Sequence, residues 1–161
     1  MITPVKEKTK ILVRKALMRD APAIHRLIKA YADQGVLLPV SLAEVYERLR
    51  DFYVCEMDGE IVGCGALRVV WEDLAEVRSL AVREDRLRRG VGRGIAAECI
   101  KDARALGIPR VFALTYQPEF FAKLGFRPIS KDRLPHKIWL DCVMCPKFPN
   151  CDEQALVLEA K

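Results

Sequence analysis

Apolar positions recur along this chain with two different periods, and the switches between them mark out its elements. Ile11 to Ala16 reads as a short strand. Asp20 then offers a helix cap, and Ile24, Leu27, Ile28 and Tyr31 take the i, i+3, i+4, i+7 spacing of one buried helix face ending near Gly35. After the apolar stretch Val36 to Val40, Ser41 and Glu44 match a capping box, and they predict a second helix burying Leu42, Val45 and Leu49. Phe52 to Glu56 and Ile61 to Val70 flank Asp58-Gly59, a pair suited to the positive φ angles of a tight turn, so the two runs form an antiparallel hairpin.

A third strand-like run, Ala75 to Val82, leads through an Arg/Gly loop into a helix with Ile95, Cys99, Ile100, Ala103 and Leu106 inward, ended by Gly107. Val111 to Thr115 follows through a short loop, so it should lie parallel to Ala75 to Val82 in a right-handed βαβ crossover. A short helix at Pro118 to Lys123, a turn at Gly125, a Pro-rich segment and a last strand near Ala155 to Leu158 complete the chain. The pattern predicts a mixed α/β fold: a mostly antiparallel central sheet, one parallel βαβ unit and flanking helices.

At 161 residues the chain suits one domain, residues 1–161, and its 51% hydrophobic and 30% charged residues are those of a globular protein. No run approaches the roughly 18 apolar residues that span a bilayer, and Met1 to Lys10 is polar, without the apolar core of a signal peptide. A cytoplasmic setting, with no membrane partner, is expected. The net charge of +5 raises the question of nucleic acid, but the arginines gather at Arg83, Arg86, Arg88, Arg89 and Arg93. They form no long track with interleaved aromatics, so a compact polyphosphate suits them better.

Within that cluster, Arg88-Arg89-Gly90-Val91-Gly92-Arg93 sits where a strand turns into a helix. Two glycines let the backbone approach an anion while the first helix amides point at it, aided by the dipole, and the guanidinium groups add charge-assisted bonds. The third glycine and the later acidic residue of a dinucleotide fingerprint are not in place, and neither is the Gly-Lys-Ser/Thr of a P-loop.

Six cysteines are present. Cys55, Cys64 and Cys99 fall in apolar patterns, as small core residues do. Cys142, Cys145 and Cys151 form a C-x2-C-x5-C cluster that reads either as metal ligands, with Asp152, His136 or a partner chain as fourth, or as three reduced thiols in the Pro-rich segment at about 134–153.

The order of hairpin, strand, Arg-Gly-Val-Gly turn, helix, parallel strand and then Phe120-Phe121-Ala122-Lys123-Leu124-Gly125-Phe126 resembles the GNAT superfamily of N-acetyltransferases over Ile11 to about Ile129. The superfamily's Q/R-x-x-G-x-G/A pattern falls on Leu87 to Gly92, with Leu87 departing from the usual Gln or Arg. The resemblance implies acetyl-CoA as cosubstrate, its diphosphate on Arg88, Arg89, Gly90, Val91, Gly92 and Arg93, and its pantetheine along Leu80, Ala81 and Val82, with Phe120 nearby. The same resemblance puts Glu76 at the position of the strand glutamate that acts as general base. That residue is either the base or an edge carboxylate. The usual acid, a tyrosine, is replaced by Phe121, so Tyr116 either protonates the leaving thiolate or packs as an aromatic. An α-amine with a pKa of about 8 is largely protonated at neutral pH, so some base must act.

Within the superfamily the chain is most similar to the short bacterial N-acetylglutamate synthases that lack a kinase domain. The likeness lies in Ile11 to Ala16, Gln34 to Pro39, Ala75 to Val82, Leu134 to Trp139 and Cys142 to Glu153. It implies transfer of acetyl to the α-amine of an amino acid, L-glutamate first, in arginine biosynthesis. Arg14 and Arg78 would meet the carboxylates, Ser79 would add a hydroxyl, and Leu37 and Leu38 would line the pocket. A GNAT enzyme acting on another amine and a non-catalytic acyl-CoA-binding module are the alternatives. The implied partner is a small molecule, with pairing into a homodimer through C-terminal strands a habit of the superfamily.

Overall fold

The computed structural model describes residues 10–134 and 152–160. Seven strands form one sheet: β1 (Ile11–Lys15), β2 (Phe52–Met57), β3 (Glu60–Trp71), β4 (Leu74–Val82), β5 (Arg110–Thr115), β6 (Arg127–Pro128) and β7 (Gln154–Glu159), in spatial order β1-β2-β3-β4-β5-β7-β6. Every neighbouring pair is antiparallel except β4 and β5. The helices are α1 (Ala21–Ala32), α2 (Leu42–Glu47), α3 (Val91–Ala105) and α4 (Pro118–Lys123). None among the described residues is long and apolar enough to cross a membrane.

The sheet buries both faces, which is why its inner strands read as near-continuous apolar runs. One face, carrying Tyr53, Cys55, Leu67, Ala75 and Val77, is covered by α3 through Val91, Ile95, Cys99 and Ala103. The other, carrying Phe52, Val54, Cys64, Ala66 and Ala81, is covered by α1 and α2 through Ile24, Leu27, Ile28 and Val45. The seat of α3 depends on two missing side chains. A Cβ on Gly63 would fall 2.6 Å from Val91 Cγ1, and one on Gly65 would fall 2.7 Å from Ile95 Cγ2. The first turns of α3 can therefore lie directly on β3.

Most expected elements occur within a residue or two of the expected bounds. Asp58 and Gly59 both take positive φ, 53° and 82°, as the hairpin turn requires. Ser41 Oγ accepts from the Glu44 amide at 3.1 Å, although the Glu44 carboxylate returns to the Ser41 hydroxyl at 3.3 Å and does not reach the backbone. Leu42 and Leu106, expected inward, are exposed at helix ends, Leu42 as the first residue of α2 and Leu106 as the C-cap of α3. The short β6, just after the turn at Gly125, is a strand that the sequence pattern did not predict.

Asp20 departs from its expected part. It precedes α1 but makes no side-chain cap to it. Its carboxylate accepts from the Leu17 amide at 2.7 Å and from Arg14 at 2.7 and 3.1 Å, while Arg14 also bonds Glu56 at 2.5 Å. This triad ties the edge strand β1 to β2 and to the root of α1. Burial alone would raise the Asp20 pKa, but the Arg14 guanidinium and the Leu17 amide outweigh it and hold the carboxyl below its usual range. A depressed folded-state pKa gives stability that is complete above the unfolded value of about 3.9 and is lost as pH falls through the lower folded value. In urea unfolding, wild-type stability should fall steeply below about pH 4. Arg14→Met should lose about 2–4 kcal/mol at pH 7, and its acid limb should flatten.

Candidate functional site

The site is built where β4 leaves β5. Pairing between these parallel strands covers only Leu74–Arg110, Ala75–Val111 and Glu76–Phe112. Beyond Glu76 the two strands part. The cause is visible in the other neighbour: Cys64 faces Ala81 and Ala66 faces Arg78, so the single residue Gly65 stands opposite both Ser79 and Leu80. This is a β-bulge, with Ser79 in the left-handed region at φ 54°. The Cys64 thiol donates to the Ser79 carbonyl at 3.5 Å and helps hold the bulge.

The bulge resets the alternation of side chains. Ala75 and Val77 face α3, and after the extra residue Leu80 and Val82 do so, while Ala81 faces α1 and α2. It also frees backbone groups. Arg83 donates to the Val62 carbonyl at 2.8 Å, which makes Val62 and Arg83 a hydrogen-bonded row and Gly63 and Val82 the next, unbonded one. The N–H and C=O of Val82 therefore point away from β3, into the opening between β4 and β5.

At the mouth of this opening lies the Arg/Gly loop. Arg88 and Gly90 take φ 63° and 80°, and Gly90 caps α3 without any side-chain bond. The first intrahelical bond runs from the Gly94 amide to the Gly90 carbonyl at 3.0 Å, which leaves the amides of Val91, Gly92 and Arg93 without a helical acceptor. They are the unfilled donors at the N-terminus of a 15-residue helix, where the dipole favours an anion. A Cβ on Gly92 would touch the Phe120 ring at 3.5 Å and Val82 at 3.6 Å, so the loop, α4 and the freed end of β4 meet at one place.

The arginines divide into two groups. Arg83 bonds Asp85 at 2.6 Å and Glu60 at 3.1 Å, and Arg86 bonds Asp85 at 3.2 Å, so these two hold the turn together. Arg88, Arg89 and Arg93 are exposed and make no ion pair among the described residues.

At the closed end of the opening, Glu76 takes the last position paired with β5, and Arg68 of β3 stands directly opposite it. Arg78, two residues on, shares its sheet face. Asp51, just before β2, lies in the field of Arg48, Lys15, Arg68 and Arg78, and burial nonetheless pushes its carboxyl up. This concentration of arginine around a half-buried carboxylate is a feature that sequence reading missed, since it depends on strand register. Leu37 and Leu38 are half-buried after α1, and Leu37 packs on the cluster beneath α1 and α2 that includes Ala66 and Ala81. Tyr116 follows β5 directly, across the opening from Leu80 and Val82. Phe121 is buried, edge-on to Phe120 and Phe126 at centroid distances of 5.0 and 5.2 Å. It is a core residue.

Arg14 must be withdrawn from the substrate group. It lies on β1, three strands and roughly 14 Å from β4, and its guanidinium is committed to Asp20 and Glu56.

Cys142, Cys145, Cys151 and His136 lie outside the described residues. Among the described residues no group of three or more His, Cys, Asp or Glu could hold a metal ion. Cys55, Cys64 and Cys99 are buried and unbridged. Burial pushes the Cys64 and Cys99 thiols up to about 12 and raises that of Cys55. In native protein treated with iodoacetamide at pH 8, peptides bearing these three should stay unmodified and then react fully in urea. Native alkylation of any of them would contradict the burial described here.

Comparison with known proteins agrees with this geometry. The family model described as Acetyltransferase (GNAT) family matches residues 17–126. An uncharacterized N-acetyltransferase of Chlorobaculum tepidum is 40% identical over 145 residues, 90% of this chain and 94% of the relative. The amino-acid acetyltransferase of Mycobacterium tuberculosis is 42% identical over 122 residues, 74% of this chain and 70% of the relative. Among solved structures, N-acetylglutamate synthase from Neisseria gonorrhoeae, complexed with coenzyme A and N-acetyl-glutamate, superposes with a TM-score of 0.86 at 31% identity. That match covers 96% of this chain and 36% of the synthase.

Proposed function

The chain belongs to the GNAT family of acetyltransferases, and from that membership we propose that it moves the acetyl group of acetyl-CoA to the α-amine of an amino acid, L-glutamate first. The observation that carries the cofactor half is the parting of β4 from β5, with freed backbone groups along one wall and an unfilled helix N-terminus at its mouth. The cofactor's diphosphate would take the amides of Val91, Gly92 and Arg93, with Arg88, Arg89 and Arg93 supplying charge. Its arm, which carries amides, would add to the open edge of β4 at Leu80 and Val82 as a strand adds to a sheet edge. The thioester would then lie near the bulge, where the ladder to β3 is interrupted.

Support for the acceptor comes from Arg78, on the face covered by α1 and α2 and close to the bulge, with Arg68 one strand away. A substrate with two carboxylates satisfies such a site better than a polyamine. Ser79 and the Leu37–Leu38 segment complete the proposed pocket. The similarity to an enzyme that crystallised with N-acetyl-glutamate points the same way.

In the proposed reaction Glu76 takes a proton from the ammonium group, directly or through water. The free amine attacks the thioester carbon, the tetrahedral intermediate expels CoA as thiolate, and the nitrogen gives up its remaining surplus proton to solvent to leave the neutral amide. Tyr116, across the opening, is the group proposed to return a proton to sulfur. We place the reaction in the cytoplasm.

Thiol release from acetyl-CoA should be measured with each of the twenty amino acids. Glutamate is expected to dominate, and a preference for another amino acid would keep the chemistry and change the acceptor. Arg78→Ala should raise the KM for glutamate by about tenfold or more while kcat stays within a few-fold, as loss of one charge-assisted contact requires. An unchanged KM removes Arg78 from the pocket. Glu76→Gln should lower kcat by about a hundredfold at pH 7.5, a typical worth of general-base catalysis. A loss below tenfold would show Glu76 to be only an edge carboxylate.

A further inference from the structure

The last turn of α1 reaches the opening through one side chain. Tyr31 is half-buried, and its ring packs on the cluster beneath α1 and α2 together with Ala16, Leu37, Val40 and Ile61. Its hydroxyl donates to the carbonyl of Val82. That carbonyl belongs to the row unbonded to β3, and pairing with β5 ends six residues earlier at Glu76, so no strand competes for it. The Val82 side chain is also the one a Cβ on Gly92 would touch. Tyr31 therefore stands where the anion-binding turn hands over to the opening.

A phenol has one proton to give and lone pairs with which to accept. Burial first, and the nearby Glu84 second, raise the Tyr31 pKa above its ordinary value, so the hydroxyl is a neutral donor at physiological pH. With the proton directed to Val82, only the oxygen's acceptor capacity is left. We infer that Tyr31 is a cofactor-contacting residue that fixes the Val82 carbonyl and accepts a hydrogen bond from the first hydroxyl or amide N–H of the acyl-CoA arm beyond the diphosphate. This rests on the acetyl-CoA reading above. It gives α1 a part in holding the donor, and it restricts the group that meets it to a hydrogen-bond donor.

The test is calorimetric titration of CoA, and in parallel of 3′-phosphoadenosine 5′-diphosphate, the cofactor's head without its arm, into wild type and Tyr31→Phe. In the variant the Kd for CoA should rise about tenfold, the loss expected when one buried pair goes unsatisfied, while the Kd for the head group stays within twofold. In steady state the KM for acetyl-CoA should rise, with kcat and the amino-acid KM held. Tyr31→Met, which also lacks the hydroxyl, serves the same test should the phenylalanine variant fail to fold. Equal CoA affinity in wild type and variant, or parallel weakening of both ligands, overturns the assignment of Tyr31 and leaves the acetyl-CoA reading intact. A wild type that binds neither ligand overturns both.

Discussion

Everything at the candidate site follows from one extra residue in β4. The bulge at Ser79 and Leu80 turns the strand away from β5 after only three paired positions, and so opens a sheet that would otherwise close over itself. A single insertion of this kind needs support, because Ser79 must hold a left-handed conformation without being glycine. The support comes from β3: Gly65 leaves room opposite the bulge, Leu80 Cδ1 lies only 3.0 Å from where a Gly65 Cβ would be, and the Cys64 thiol meets the Ser79 carbonyl. The same glycine, with Gly63, lets α3 sit close on the sheet. One short stretch of β3 thus fixes both the parting of the strands and the position of the helix end that faces it.

The two faces of the sheet divide the labour. The α3 face brings a helix N-terminus to the mouth of the opening and packs the rest of that helix on Ala75, Val77 and Val111. The opposite face carries Glu76, Arg78 and Arg68, with α1 and α2 above. In the proposed reading, a donor gripped by backbone amides and an acceptor gripped by guanidinium groups would approach the bulge from different sides of β4. On the proposed function, this arrangement would separate two anionic ligands whose charges would otherwise repel.

Much of this was legible in the sequence, because the signals are local. Asp58-Gly59, Ser41, Gly107 and the run from Arg88 to Arg93 each state a backbone requirement within a few residues, and the structure meets them. What was not read depends on partners far apart in the chain. Arg14 looks like a substrate arginine until β1 is registered on β2, which places Glu56 within reach across 42 positions, and until Asp20 turns from helix cap to ion-pair partner. The bulge leaves only a faint trace: the apolar series Ala75 and Val77 continues as Leu80 and Val82, one step out of phase. A run of nine residues with six apolar positions, spread over both covered faces, hides such a slip. Asp51 and its four cationic neighbours were invisible for the same reason as Arg14.

The parting of β4 from β5 also has a length. From Val82 at the mouth to Glu76 at the closed end the strand spends six residues, one of them in the bulge, and so advances five rungs, from Gly63 to Arg68 on β3, roughly 17 Å at about 3.3 Å per residue. Both ends are anchored, one by the rigid start of α3 and the other by the last paired rung of the sheet. For the proposed donor the opening would therefore be a ruler as well as a groove. A donor whose arm is shorter would leave its reactive carbon stranded in the channel, and one with a longer arm would have to buckle against the rung. Selection of the acyl carrier would then be written in the number of residues between a loop and a bulge, and inserting or deleting a residue there would change the reach of the site without altering any group that performs the chemistry.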